Sequence, residues 1–212
     1  MAGFGGSGYP ADAPNGISRK LAADAGNGRN VVFGFEAVGI AEVCMAIRNA
    51  CKALLVRDGK ILLNKNLNTI GSIAWGLPDG AVYYDLPGGG QNQYETLAET
   101  VVRECLEETG YTVEVKRLAA VYEEISMNER FRAQYEKHAH RVHFIFQCEV
   151  TNEPRATETE KDMDMLQSEW VEVADVENLP LYPVAVKENL RRMLTAEDAL
   201  FLGSKREGGA RA

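Results

Sequence analysis

Apolar and polar positions alternate in short bursts from about residue 45 onward, and the bursts predict a mixed α/β chain. In "ACKALLVRDGKILLNKN" (50–66) two β-rich runs flank Asp58-Gly59, a pair that accepts positive φ and so favours a two-residue hairpin turn. Residues 66–82 are rich in Gly and Pro and predict a loop, and "YYDL" (83–86) predicts a short strand ended by Pro87. Helical spacing runs over about 95–109, with Gly110 where a glycine cap belongs. "YTVEVKRLAAVYEEI" (111–125) is β-rich, and "RVHFIFQCEV" (141–150) is the clearest strand. After the acidic loop 151–166, "SEWVEV" (168–173) predicts another strand and "VAVKENLRRML" (184–194) an amphipathic helix.

The ends read differently. Nine of the twenty glycines fall at 3, 5, 6, 8, 16, 26, 28, 34 and 39, a composition that resists a packed core. Residues 1–44 are therefore expected to form a loosely ordered extension, within which 31–43 could add a strand or cover an edge. Met45 heads the first patterned segment and is a candidate alternative start. The expected folded domain is 45–195, followed by a polar tail over 196–212.

Composition narrows the function. At 212 residues and 45 % hydrophobic content the chain can bury one domain core. A formal net charge of −8 argues against general affinity for nucleic acid or anionic membranes, which rests on clustered Lys and Arg. It is compatible with a phosphate-bearing substrate if a divalent cation screens the acids. Cys44, Cys51, Cys105 and Cys148 contain no C-x-x-C pair and are expected to be reduced thiols in a cytoplasmic protein. The most apolar run, 31–47, is interrupted by Glu36 and Glu42, so no membrane span is expected there.

One segment defies local physics. On a helical wheel with Glu104 at zero, Glu108 lies at about 40° and Glu107 at about −60°. Val101, Val102, Cys105 and Thr109 occupy the adjoining face. Like charges at i,i+4 repel, and acids in the last turn oppose the helix dipole. Just upstream, Gly88-Gly89-Gly90 lets backbone approach a ligand closely. Carboxylates and a close carbonyl are the oxygen ligands that Mg²⁺ or Mn²⁺ prefers.

This stretch resembles the signature of the Nudix hydrolases: Gly89, Glu95, Arg103, Glu104, Cys105, Glu107, Glu108, Gly110 and Tyr111 stand at its positions. Cys105 replaces the usual aliphatic residue. The resemblance covers about residues 46–195 and implies an α/β/α sandwich around a mixed β-sheet. It also implies cleavage of a diphosphate linkage in a nucleoside diphosphate derivative, such as ADP-ribose, a sugar nucleotide or a nucleoside triphosphate. Glu104, Glu107, Glu108 and the Gly89 carbonyl would hold the Mg²⁺ or Mn²⁺ ions, with Arg103 and Glu95 orienting the carboxylates. Glu104 or an acid of the late loop (Glu158, Glu160, Asp162) would be the general base.

Substrate contacts are expected at Trp75, able to stack on a ring, and at His138, His140, Glu158 and Glu160. His138 and His140 are expected to share a strand face that His143 does not. No proline lies between Pro87 and Pro154, so the proline of typical ADP-ribose-preferring members is missing. The expected partner is a nucleotide-type small molecule, without nucleic acid or membrane, and a homodimer is left open. The alternative reading is a nucleotide-sensing module of the same fold that does not hydrolyse its ligand.

Overall fold

The protein is described by a computed structural model over residues 47–70, 76–153, 155–159 and 164–207. The expectations placed on residues 1–44, Trp75, Glu160 and Asp162 lie outside them.

Strands β1 (Arg48–Arg57) and β2 (Lys60–Leu67) form the hairpin, with Asp58 at φ 51° and Gly59 at φ 76°. Positive φ at both positions matches the twist of the flanking strands. β3 (Val82–Asp85) pairs antiparallel with β2. Helix α1 (Leu97–Thr109) follows, then β4 (Val113–Ser126). Two short helices, α2 (Glu129–Gln134) and α3 (Glu136–Ala139), lead to β5 (His140–Val150), which pairs antiparallel with β4. β6 (Met165–Glu172) adds to β2, α4 spans Val184–Thr195, and β7 covers Leu200–Glu207. The sheet order is β3-β2-β1-β5-β4-β7, with β1–β5 and β4–β7 parallel.

Alternation along β1 divides the core. Leu54 joins Val186, Leu190 and Met193 of α4, whereas Ala53 and Leu55 join Val101 and Cys105 of α1. Helices on both faces of a mixed sheet make the expected α/β/α sandwich. Each fully buried leucine contributes roughly 1.5–3 kcal/mol. Among the described residues, no helix is long and apolar enough to cross a membrane.

Two departures matter. The region read as a polar tail contains β7, which pairs parallel with β4 from Ala120↔Leu200 to Ser126↔Glu207, and whose Leu200 and Leu202 pack on the core. Its partner is eighty residues away in sequence, so no local pattern announces it. Second, α2 and α3 occupy a stretch without a predicted element, α2 being started by Asn128, whose side chain accepts from the Phe131 N–H at 3.1 Å.

The strand pairing also creates a fork. β1 and β2 pair at Val56↔Ile61 and Arg57↔Lys60, beside their turn, whereas farther out β1 pairs with β5 and β2 with β3 and β6. The glycine segment takes the edge of β1 that β2 leaves. Ala53 N–H donates to the Pro87 carbonyl and Cys51 N–H to that of Gly89, both at 2.8 Å, and Gln91 N–H to that of Asn49 at 3.1 Å. Buried backbone donors demand such partners, and the fork holds the site.

Candidate functional site

Helix α1 begins at Leu97 rather than 95, because Thr96 and Glu99 form a reciprocal capping box. Glu95 therefore stays outside the helix. It accepts from Asn92 N–H at 3.0 Å and Thr100 Oγ1 at 2.9 Å. Arg103 donates to it at two points, Nε to Oε1 at 2.7 Å and Nη2 to Oε2 at 3.0 Å. Those Arg103 hydrogen bonds hold the Glu95 carboxyl down at about 2. Nη1 of the same guanidinium lies 2.9 Å from both Glu104 Oε1 and Glu107 Oε2. One arginine thus organises three carboxylates.

The glycines do what their lack of side chains permits. A Cβ on Gly89 would stand 2.5 Å from the Glu104 carboxylate, and one on Gly88, at φ 126°, would strike the Cys51 carbonyl. Burial pushes the Glu104 carboxyl up. Glu108 is buried, and its Oε2 accepts from Gly88 N–H at 2.7 Å and Asn64 Nδ2 at 2.8 Å. Desolvation raises its pKa to about 7, moderated by the nearby Lys52 charge.

Among the described residues, no three His, Cys, Asp or Glu side chains converge closely enough to share a metal ion. The three helix acids, expected as one wall, fall into two groups. Glu104 and Glu107 bracket Arg103 Nη1, while Glu108 faces Gly88 and Asn64. The donor set nevertheless suits a hard divalent cation. Every donor is an oxygen, Glu104 and Glu107 already hold positive charge between them, and Asn64 Oδ1 is buried beside Glu108 without a hydrogen-bond partner. The Gly89 carbonyl has one lone pair engaged by Cys51 N–H.

Gly88, Gly89 and Glu108 line one side of a cleft of about 330 Å³ in the fork between β1 and β2. The cleft contains residues that the sequence reading did not single out. Lys52 Nζ bonds Asp85 Oδ2 at 2.9 Å and also the Gly88 carbonyl, and Asn66 Nδ2 donates to Asp85 Oδ1 at 2.9 Å. Arg141 and His143 lie on its floor, and Asp164, in the acidic loop just before β6, also lines it. The available signal was a polar residue inside an apolar run: Lys52 in "ACKALLV", and Arg141 and His143 in "RVHFIF".

The histidines group differently from the expectation. His138 lies in α3, not on a strand, and lines the same cleft as His143. His140 instead bonds Glu123 at 2.8 Å and faces a separate depression with Arg132 and Glu136. Glu158 does not line the cleft; it pairs with Arg155 at 3.5 Å, beside Thr159, whose N–H caps the Glu107 carbonyl at 3.1 Å.

A family model described as "NUDIX domain" matches residues 42–193. No curated protein matches the chain. Among solved structures, a NUDIX hydrolase from Nitrosomonas europaea is similar, with TM-score 0.53 and 17 % identity over 69 % of this chain and 87 % of that one. An ADP-ribose pyrophosphatase from Streptococcus suis aligns with TM-score 0.48 and 20 % identity, over 74 % of this chain and 99 % of that one. A MutT protein from Methanosarcina mazei aligns with TM-score 0.49 and 20 % identity, over 69 % and 92 %. The family model spans most of the described domain and contains the whole Gly89–Tyr111 signature, and the chain belongs to the Nudix family of pyrophosphate-cleaving hydrolases.

Proposed function

We propose that the protein is a divalent-cation-dependent pyrophosphohydrolase that cleaves the diphosphate linkage of a nucleoside diphosphate derivative, ADP-ribose-like, sugar-nucleotide-like or a nucleoside triphosphate. The observation that carries this reading is Arg103, held at two points by Glu95, with Nη1 at 2.9 Å from both Glu104 and Glu107.

Glu104, Glu107, Glu108 and the Gly89 carbonyl would hold Mg²⁺ or Mn²⁺. When bound, such ions supply neutralisation of pyrophosphate oxygens and a more acidic water. The chain supplies the rest. Glu95 and Arg103 fix the carboxylate directions, and Gly88 and Gly89 admit the phosphates close to the backbone. Glu104, its carboxyl raised by burial against Gly89, is assigned the proton-accepting role, since a base works best with a pKa nearer the working pH.

The test is a hydrolysis panel of ADP-ribose, sugar nucleotides, dinucleotides and nucleoside triphosphates with Mg²⁺ or Mn²⁺. At least one should be cleaved only with the cation, and Glu107→Gln or Glu108→Gln should nearly abolish cleavage. Full activity in both variants would overturn the cation assignment. Tight nucleotide binding with no cleavage of any compound would favour a sensing module.

A further inference from the structure

The floor of the cleft away from α1 is a second polar centre that the reaction scheme above does not use. Arg141 and His143 are two apart on β5 and so point to the same face. In the parallel register His143 stands beside Ala50, whose small side chain leaves room above the imidazole. Glu124 anchors both residues: Arg141 Nη2 lies 3.1 Å and His143 Nε2 3.4 Å from its Oε2. Tyr182 completes the anchor, donating its hydroxyl proton to Glu124 and accepting from Arg141 at 2.8 Å.

Three side-chain atoms of this rigid group are buried without a hydrogen-bond partner: Arg141 Nε and both His143 nitrogens, Nδ1 and Nε2. His143 is 2 % exposed, and its burial lowers the imidazole pKa, which keeps the ring neutral. Nε2 lies on the side of the ionised Glu124 carboxylate, 3.4 Å from its Oε2, which favours the proton there and leaves Nδ1 presenting a lone pair. The floor therefore offers one acceptor and, from Arg141 Nε–H, one donor. Buried groups of this kind are costly unless something satisfies them. The Arg141 charge is already matched by Glu124, so the complement is a neutral group bearing both a donor and an acceptor rather than an anion.

The wall above selects a flat group. Phe131 and Tyr135 line the cleft at the α2 side, their rings 5.2 Å apart and tilted by 32°. An aromatic wall beside a donor–acceptor floor fits a planar heterocycle with a hydrogen-bonding edge. We infer that this end of the cleft reads the nucleobase of the substrate, with His143 and Arg141 addressing its edge and Tyr135 its face. The inference rests on the proposed hydrolase reading and deepens it, naming where base preference is set.

Calorimetric titration of the full chain in EDTA with AMP, GMP, CMP, UMP and ribose 5-phosphate tests this without turnover. One nucleotide should bind at least about tenfold tighter than ribose 5-phosphate and than the weakest base. His143→Gln should shrink the ratio between bases by about tenfold, whereas Tyr135→Ala should weaken all four nucleotides by a common factor and leave their ranking. Ribose 5-phosphate binding as tightly as the nucleotides, or unchanged binding in Tyr135→Ala, would overturn the inference. So would an unchanged base ranking in a His143→Gln variant with wild-type circular dichroism. Base discrimination without any hydrolysis would support this inference while sinking the hydrolase reading. Hydrolysis with no base discrimination would do the reverse.

Discussion

The Glu104 carboxyl carbon lies 2.5 Å from the point where a Cβ on Gly89 would stand. A glycine loop and a helix acid therefore occupy one another's space, and neither can change alone. Gly89→Ala displaces the free end of a side chain, so melting temperature should move little. The Glu104 carboxylate, however, must shift by an ångström or so, and kcat/KM should fall about a hundredfold. Gly88→Ala differs, because its Cβ would meet the Cys51 backbone at φ 126°. That variant should lose folded protein. Paired melts and kinetics separate the two, and equal activity loss with equal destabilisation would contradict this account.

Arg103→Lys keeps the charge but cannot reproduce the two-point fork to Glu95 together with the contacts to Glu104 and Glu107. We expect kcat to drop about 10–100-fold with KM little changed. Glu95→Gln should move kcat in the same direction. Wild-type kcat in Arg103→Lys would remove the guanidinium from the positioning role.

Glu108 carries its proton up to about pH 7 in the fold, against 4.5 ordinarily. Between these values the native state binds the extra proton, so its contribution to stability is retained at low pH and lost as pH rises through the window. The loss is on the order of 3 kcal/mol. Urea unfolding in EDTA at several pH values should show the wild type losing stability relative to Glu108→Gln from pH 4.5 to 7. A wild-type-minus-variant difference that stays flat over that range would refute the assignment.

Ending the chain after Ala199 removes β7 and exposes the edge of β4, together with the surface that Leu200 and Leu202 cover. This truncation should cost roughly 2 kcal/mol or more and promote self-association through the bared edge. Thermal melts and light scattering read both effects. An unaltered melting temperature would show that β7 adds nothing to the fold.

Much of this molecule follows from rules that act within a few residues. Asp58-Gly59 turns the hairpin because both positions accept positive φ. Gly110, at φ 71°, ends α1 where a left-handed cap is needed. The spacing from Glu95 to Glu107 places an arginine within hydrogen-bond reach of three acids on little more than one helix. The capping box at Thr96 and Glu99 was equally local and moves the helix start by two residues. Chemistry concentrated in one continuous segment was therefore legible before any fold was known.

The other half of the cleft depends on partners distant along the chain. Lys52 meets Asp85 because β1 and β2 diverge beyond their turn, Arg141 meets Glu124 through the β4–β5 register, and β7 finds β4 across eighty residues. Lys52, Arg141 and His143 are single polar residues in apolar strands, a pattern equally consistent with surface positions until the sheet shows which face is covered. The regrouping of His138 with His143, and of His140 with Glu123, has the same origin. Strand pairing and the packing of α2 over the cleft arise from long-range closure, in which no single segment carries the information about its neighbour.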